Sequence, residues 1–292
     1  MTIPAPSTDR QLATGRARST TFAGSADRPL SALVAEPSGA AVGVVVLVPG
    51  YTGSKEDFAP LLEPLAVLGF EAVALDLPGQ YGAAGSADPA DYVPDLLAHD
   101  LVLVAGALRS ERPEAPVHLL GHSFGGLVAR AAVLAAPAAF DSLVLLDSGP
   151  AGLEGGRRAL IEAMEPVLAA GGVTAVYEAT MTLARRDPSF VEPPAPLAAF
   201  LQERFATTSA ANLEGIGRAI RSEPDRTADL AALLVRVLVT CGAGDDAWPV
   251  DVQSEMAQRL GATFAVVPDA RHSPAVENPT GLLDVLVPFW SV

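Results

Sequence analysis

Six short runs rich in valine and leucine constrain the fold of this chain more than any other feature of its sequence. They lie at 42–48, 71–75, 117–120, 142–146, 235–240 and 263–267. Their apolar residues stand at successive positions rather than at every second one, so both faces of each run are expected to be buried. A parallel sheet covered by helices on both sides requires strands of this kind. The sequence therefore predicts an α/β protein.

Helical patterns fill the gaps between these runs. Apolar residues recur at i, i+3 and i+4 spacing in 60–68, 92–108, 127–135, 250–260 and 281–289. Near the start, β-like stretches at 16–22 and 30–35 flank a turn at 27–29 and predict an opening hairpin. Strand and helix then alternate along the chain, which predicts a mostly parallel, doubly wound sheet.

Residues 149–226 break this alternation, because they contain no strand candidate. Three helical stripes of apolar side chains occupy the segment instead, around Ile161, Leu201 and Ile216. The sequence therefore predicts a core in two parts, 1–148 and 227–292, interrupted by a helical insertion. These stripes fit two arrangements. The helices could only pack on the sheet, or they could form a lid over a pocket, and the sequence does not distinguish the two.

The composition excludes several classes of partner. Half of the 292 residues are hydrophobic and 18% are charged, which is enough apolar surface for a folded core. The formal net charge is −15 and Lys55 is the only lysine, so the chain repels phosphate backbones and anionic lipid surfaces. We therefore expect no nucleic-acid partner and no membrane association.

The start of the chain and its single cysteine bear on the compartment. The first 20 residues lack a charged start followed by a long apolar stretch, and runs such as 44–48 are far shorter than a spanning helix. Cys241 has no second cysteine with which to form an internal disulfide, as is usual in a reducing compartment. The sequence predicts a cytoplasmic protein.

The most informative motif is Gly-His-Ser-Phe-Gly at 121–125, which follows a strand candidate directly and opens a helix candidate. A serine in such a motif sits on a sharp strand-to-helix turn, and the glycines on either side let strand and helix approach. The turn also places the Ser123 hydroxyl at a helix N-terminus, where free backbone N–H groups favour developing negative charge. We therefore interpret Ser123 as a nucleophile.

A serine nucleophile needs a base, and in this arrangement the order along the chain is serine, acid, histidine. Of the four histidines, only His272 follows Ser123. His118 fits a core histidine in a buried strand, His99 a solvated or capping residue, and His122 a supporting residue. His272 lies in a loop after the last strand candidate, where loops carry catalytic groups.

Three aspartates are candidates for the acid that orients His272. Asp245 directly follows the run at 235–240, and one helix and one strand separate it from His272. Asp147 follows the neighbouring run at 142–146 and is a second candidate, and Asp246 is a third. We favour Asp245 because its strand end adjoins that of His272.

Taken together, these motifs make residues 31–290 resemble an α/β-hydrolase-fold serine hydrolase of the bacterial esterase and lipase type. The further motifs are Pro49-Gly50-Tyr51, Asp76-Leu77-Pro78-Gly79, Gly242-x-x-Asp245 and His272-x-x-x-x-Glu277-x-Pro279. The resemblance implies that the backbone N–H groups of Tyr51 and Phe124 form an oxyanion hole. Pro49 replaces the histidine that is commoner in the family, which keeps the backbone donor.

The resemblance implies a Ser123–His272–Asp245 triad acting on a small-molecule ester. Apolar side chains in 149–226 favour carboxylic esters of small to medium, largely apolar substrates. The same triad also cleaves thioesters, lactones and C–C bonds, so these substrates remain alternatives. A non-catalytic binding protein of this fold is a further alternative. The chain lacks phosphate-loop, dinucleotide and zinc-peptidase motifs, so we predict no cofactor and no metal.

Overall fold

A computed structural model describes residues 9–188 and 190–292 and contains one eight-stranded sheet within them. Residues 1–8, part of the first 20 residues in which no signal pattern is expected, lie outside the described residues. The strands are β1 Arg18–Phe22, β2 Leu30–Ala35, β3 Gly43–Val48, β4 Phe70–Leu75, β5 Val117–His122, β6 Ser142–Leu146, β7 Arg236–Gly242 and β8 Thr263–Val267. Every predicted run therefore forms a strand.

The strands lie side by side in the order β1-β2-β4-β3-β5-β6-β7-β8. β1 pairs antiparallel with β2, and β2 antiparallel with β4, which is the predicted opening hairpin and its attachment to the sheet. From β4 to β8 all neighbouring strands are parallel. The mostly parallel, doubly wound sheet is confirmed.

Helices cover both faces of the sheet. They are α1 Ala59–Val67, α2 Pro94–Glu111, α3 Phe124–Ala135, α4 Gly155–Ala184, α5 Ala195–Thr207, α6 Ala210–Ser222, α7 Thr227–Ala231, α8 Val250–Leu260, α9 Pro274–Glu277 and α10 Pro279–Trp290. On one face α2, α3 and α8 bury leucine, valine and methionine against the strands, and on the other α1 and α10 do the same. This double cover explains why the strands are apolar at successive positions.

The segment 149–226 holds α4, α5 and α6, and the described part of it contains no strand. Its helices lie between β6 and β7 in the chain, where the C-terminal ends of the parallel strands meet. Gly172, with φ 69°, interrupts the helical backbone of α4. The two halves of α4 can therefore follow different directions over the strand ends.

By length and composition alone, α4 passes as a membrane-spanning segment: it has 30 residues and a mean hydropathy of 1.4 in its most apolar window. No uninterrupted apolar run marks this helix in the sequence, because Glu165 and Glu178 lie within it. Several of its side chains, including Ile161 and Val176, pack into the protein. The absence of a membrane partner stays a prediction.

A buried arginine fixes both ends of the segment 149–226 to α3. The Arg130 side chain is 1% exposed and donates hydrogen bonds to the carbonyl oxygens of Pro150 and Pro224. It also pairs with the Glu223 carboxylate at 2.9 Å. Burial lowers the pKa of Arg130, but the nearby Glu223 charge opposes this effect. Arg130 thus joins the start and the end of the segment to the core.

We expect Arg130→Ala to lower the free energy of unfolding by about 3–5 kcal/mol, because it leaves the Glu223 carboxylate buried without its partner. The control is Arg18→Ala, which removes an exposed pair with Glu36 and should cost at most about 1 kcal/mol. Urea denaturation of both variants measures the difference. Equal losses in the two variants would contradict the anchoring role.

Candidate active site

Ser123 occupies the turn between β5 and α3 in a strained backbone conformation. Its φ is 54° and its ψ is −121°, a region that residues with side chains rarely adopt. β5 ends at His122 and α3 begins at Phe124, so the turn consists of Ser123 alone. The conformation separates the serine side chain from those of its two neighbours. Such strain is typical of functional sites.

Two glycines make this turn possible. A Cβ atom on Gly121 would lie 2.2 Å from the carbonyl oxygen of Gly125, and one on Gly125 would lie 2.5 Å from the carbonyl oxygens of Val48 and Pro49. No side chain fits at either position, because these neighbours are backbone atoms. The glycines therefore allow α3 to pack directly against the ends of β3 and β5.

A chain of hydrogen bonds connects the three residues predicted as nucleophile, base and acid. The distance from Ser123 Oγ to His272 Nε2 is 3.0 Å, and that from His272 Nδ1 to Asp245 Oδ1 is 2.7 Å. All three side chains are buried. The geometry gives Nδ1 the proton donated to Asp245 and leaves Nε2 free to accept the serine proton.

The loop that carries His272 is held by its neighbours. The Glu277 carboxylate accepts hydrogen bonds from the N–H groups of Arg271 at 2.6 Å and Ser273 at 3.1 Å, on either side of the histidine. The His272 carbonyl lies 2.6 Å from His122 Nε2, which donates to it. His122 therefore supports the backbone of the base, although it is adjacent to Ser123 in sequence.

Asp245 follows β7 and accepts hydrogen bonds at both carboxylate oxygens. Oδ1 accepts the Ala247 N–H at 2.9 Å in addition to His272, and Oδ2 accepts Gln253 Nε2 at 2.7 Å. Burial acts to raise the pKa of Asp245, but the bonds from His272 and Ala247 outweigh it and hold the pKa below its usual value. Asp245 is therefore ionised at neutral pH.

The surroundings of His272 favour its neutral form. Burial lowers its pKa, and the hydrogen bond and charge of Asp245 only partly offset that effect. The cation of Arg157 lowers the pKa further. A neutral imidazole bonded to a serine hydroxyl is the form that can accept a proton.

The two alternative acids do not bond to His272. Asp246 is half-exposed and pairs with Arg157, with distances of 2.5 and 3.2 Å from its oxygens to Nη2 and Nε. Asp147 is fully buried and accepts the Gly242 N–H at 2.9 Å. Burial raises the pKa of Asp147, and the nearby Asp245 charge raises it further. Of the three aspartates, Asp245 makes the bond to the histidine.

The remaining histidines lie elsewhere. His118, in β5, bonds Ser142 Oγ at 2.9 Å and stacks on Trp290 with ring centroids 6.0 Å apart. Burial lowers the pKa of His118 to about 4, so it is a neutral core residue. His99 is exposed on α2. Neither side chain reaches Ser123.

The predicted oxyanion donors flank the serine. Phe124 is the first residue of α3, so its N–H has no partner within the helix. Gly50 precedes Tyr51 and approaches the serine so closely that a Cβ on Gly50 would lie 2.9 Å from Ser123 Cβ. The Tyr51 hydroxyl donates to the Leu213 carbonyl at 3.1 Å.

A buried glutamine holds the peptide group between Gly50 and Tyr51. Gln80 Nε2 donates to the Gly50 carbonyl at 2.8 Å, and Gln80 Oε1 accepts the Leu77 N–H at 2.9 Å. In a trans peptide, the carbonyl and the N–H point in opposite directions. The bond to the Gly50 carbonyl therefore also fixes the direction of the Tyr51 N–H.

A pocket opens above Ser123, and much of its wall comes from the segment 149–226. It encloses about 1250 Å³, including the part open to solvent. Its apolar lining includes Leu153, Ile161, Met181, Phe190, Leu201, Phe205 and Val276. Two arginines also line it, although the apolar stripes of the segment do not predict them. Arg157 pairs with Asp246, and Arg204 pairs with Asp57 at 2.6 Å, so carboxylates balance both charges.

Among the described residues, one group of side chains is close enough to share a metal ion. It consists of Asp147, Asp245 and His272, whose donor atoms lie within 4.8 Å of one another. Both nitrogens of His272 and both oxygens of Asp245 already have protein partners. These hydrogen bonds account for the positions of the donors, so we assign no metal to the group. The absence of a metal stays a prediction.

Sequence reasoning missed Gln80 and Gln253. Both are fully buried, and each uses its amide to bond to a group at the site. Gln80 directly follows the Asp-Leu-Pro-Gly motif at 76–79, and Gln253 lies in α8, directly after the acid loop. Gln80 lies in a loop and Gln253 in a helix, and no sequence signal marks either role, because burial is visible only in the fold.

Comparisons with known proteins agree with this architecture. The sequence profile described as "Alpha/beta hydrolase family" matches residues 45–285. A 2-succinyl-6-hydroxy-2,4-cyclohexadiene-1-carboxylate synthase of Escherichia coli K12 is 27% identical over an alignment of 254 residues, and the match covers 82% of this chain and 90% of that protein.

Solved structures share the fold at lower identity. A thermophilic esterase from Thermogutta terrifontis has a TM-score of 0.72 at 20% identity, covering 93% of this chain and 97% of that one. An enol-lactonase from Burkholderia xenovorans LB400 has a TM-score of 0.75 at 18% identity, covering 94% and 100%. The profile match spans most of the chain, and the strand order and helical cover agree with it. This chain belongs to the alpha/beta hydrolase family and is a hydrolase.

Proposed function

We propose that the protein is a serine hydrolase that cleaves carboxylic esters of small to medium, largely apolar substrates. The observation that carries the proposal is the unbroken hydrogen-bond chain from Ser123 through His272 to Asp245. It lies at the base of a pocket lined mainly by apolar side chains. A nucleophile, a base and an orienting acid in this geometry perform acyl transfer.

In the first half of the reaction, Ser123 Oγ attacks the ester carbonyl carbon while its proton moves to His272 Nε2. The Tyr51 and Phe124 N–H groups stabilise the negative oxygen of the tetrahedral intermediate. The intermediate then collapses, the C–O bond to the alcohol breaks, and the alcohol leaves with the proton from Nε2. Asp245 stabilises the transient imidazolium without taking a proton.

In the second half, water attacks the acyl-enzyme. His272 Nε2 accepts a proton from this water, and the tetrahedral intermediate forms again in the same oxyanion hole. When the bond to Ser123 Oγ breaks, the proton returns to the serine and the carboxylic acid is released. Because His272 must be neutral at the start of each half, its lowered pKa supports activity at neutral pH.

The pocket supports an uncharged, largely apolar acyl group. Ile161, Met181 and Phe205 offer surface that gains free energy when an aliphatic chain covers it. Arg157 and Arg204 are paired with carboxylates, so a charged substrate group would have to break an ion pair to bind either one. These pairs favour esters of monocarboxylic acids over substrates with several charges.

The similar proteins named above include a synthase, an esterase and an enol-lactonase. The substrate class is therefore tested with a panel of esters, thioesters and lactones. With nitrophenyl esters of increasing chain length, we expect the highest kcat/KM at short to medium chains. Thioesters and lactones of matched acyl groups should react more slowly, as should a half-ester of a dicarboxylic acid. A thioester or lactone that outperforms every ester would overturn the ester assignment.

The same panel tests the nucleophile. Ser123→Ala should lower kcat by about 10³-fold or more, because no other group takes over the covalent step. Ser291→Ala, which changes an exposed serine at the end of α10, is the matched control and should keep the wild-type rate. Turnover that persists in Ser123→Ala would exclude the proposed mechanism.

Gln80→Leu tests how the oxyanion hole is positioned. The variant loses the donor to the Gly50 carbonyl, so the Tyr51 N–H is free to turn away, and we expect kcat to fall about 10- to 100-fold while KM changes little. Gln258→Leu, on the exposed side of α8, is the control. Steady-state kinetics separate kcat from KM, and thermal unfolding checks that the variant is folded. A change confined to KM would contradict the positioning role.

A further inference from the structure

A second buried carboxyl lies beside the triad acid and has no part in the mechanism above. Asp147 follows β6, Asp245 follows β7, and the two strands are neighbours in the sheet. Asp147 is 0% exposed, and its carboxylate oxygen lies within 4.8 Å of the ligand atoms of Asp245 and His272. The site therefore holds two adjacent carboxyls.

Hydrogen-bond donors are shared unequally between these carboxyls. Asp245 accepts three, from His272, Ala247 and Gln253. Asp147 accepts the Gly242 N–H at Oδ1, while its Oδ2 is buried and has no donor among the residues that the structure describes. Donors stabilise the charged form of a carboxyl, so the negative charge belongs on Asp245.

Two ionised carboxylates this close would repel each other strongly where both are buried, and such pairs commonly share one proton. A proton on Asp147 Oδ2 removes the repulsion. The proton also gives Oδ2 a hydrogen to donate. The acceptor beside it is the Asp245 carboxylate, which has an oxygen within 4.8 Å of a carboxylate oxygen of Asp147. Because Asp245 accepts more hydrogen bonds than Asp147, Asp245 carries the charge and Asp147 is neutral.

We propose that Asp147 is a neutral carboxylic acid that donates its O–H to Asp245, acting as a positioning residue that keeps Asp245 ionised and directed at His272. This role rests on the proposed function, because it matters only if Asp245 orients the base. The backbone supports it: Asp147 has φ 47°, a left-handed conformation, and its N–H donates to the Thr240 carbonyl at 2.9 Å. β7 thereby holds the carboxyl in place.

Other charged or titratable groups also face the pair. The charges of Glu277 and Asp245 raise the pKa of Asp147, and those of both aspartates raise the pKa of the Cys241 thiol. At His272, the Asp245 charge raises the pKa and the Arg157 charge lowers it. Burial raises the pKa of Cys241 to about 12, so the thiol stays neutral. The variants below leave these groups in place, so a change in the His272 titration reports on Asp147.

The experiment is an NMR titration of the histidine rings in the folded wild type, Asp147→Asn and Asp147→Leu. Asparagine keeps both interactions, because its amide donates to Asp245 and accepts from Gly242. Leucine fills similar space without a donor. We expect the His272 midpoint to stay at its wild-type value in Asp147→Asn and to rise in Asp147→Leu, where Asp245 loses a neutral donor and attracts the imidazolium more strongly.

The other outcomes overturn the proposal. If Asp147 were ionised, both variants would remove a negative charge near His272 and lower its midpoint. If Asp147 only accepted the hydrogen bond from Gly242, neither variant would change the titration midpoint of His272. In turnover, Asp147→Leu should lose about tenfold in kcat, and Asp147→Asn should recover most of that loss. The titration needs no substrate, so absence of ester turnover would count against the proposed function alone.

Infrared spectroscopy gives a readout that is independent of whether Asp147→Leu folds. At about pH 8, where ordinary carboxyls are ionised, the wild type should show the carbonyl band of a protonated carboxylic acid. The band should be missing in Asp147→Asn. A wild type without the band, or a band that persists in Asp147→Asn, would contradict a neutral Asp147.

Discussion

The turn at Ser123 is the constraint on which the geometry of the site depends. A single residue in a strained conformation joins β5 to α3, and glycines at 121 and 125 let the helix reach the backbone of β3. This contact brings Gly50 beside the serine, and with it the Tyr51 N–H. The His122 side chain leaves the turn in another direction and donates to the His272 carbonyl. The nucleophile, the predicted oxyanion donor and the base loop are therefore positioned by one local structure.

Parallel strands explain how residues far apart in the sequence meet at that turn. β5, β6, β7 and β8 end at the same edge, so Ser123, Asp147, Asp245 and the His272 loop follow neighbouring strand ends. Their order across the sheet matches their order along the chain. The order of the strand candidates alone therefore predicts that the serine, the acid and the base lie at one edge of the sheet.

Fold and site differ in how much the sequence could reveal. The six apolar runs predict β3 to β8, because a strand covered on both faces leaves a continuous apolar pattern, and two β-like stretches around a turn predict the hairpin of β1 and β2. The choice between Asp245 and Asp147 is harder, since both follow strands at the same edge. Hydrogen-bond donors decide it, and those on Asp245 come from loop and helix residues whose arrangement no motif encodes. Gln80 and Gln253 are hidden for the same reason.

The segment 149–226 shows a second limit of pattern reading. Its apolar stripes predict helices, but they do not show which residues face the pocket. Arg157 and Arg204 reach the pocket, and each meets a carboxylate outside the segment, Asp246 or Asp57. These ion pairs join the segment to the core near the nucleophile, while Arg130 anchors its two ends. Charge pairs and apolar contacts such as those of Ile161 and Ile216 with the core therefore both hold the segment over the site.

The central claim is that His272, oriented by Asp245, activates Ser123. Its most direct test is the rate at which a fluorophosphonate labels the protein, with the labelled residue located by mass spectrometry. The account predicts labelling of Ser123, slowed about 10³- to 10⁴-fold in Asp245→Asn and close to the wild-type rate in the neighbouring control Asp246→Asn. A folded protein that is not labelled at Ser123, or an Asp245→Asn variant labelled as fast as the wild type, would contradict it.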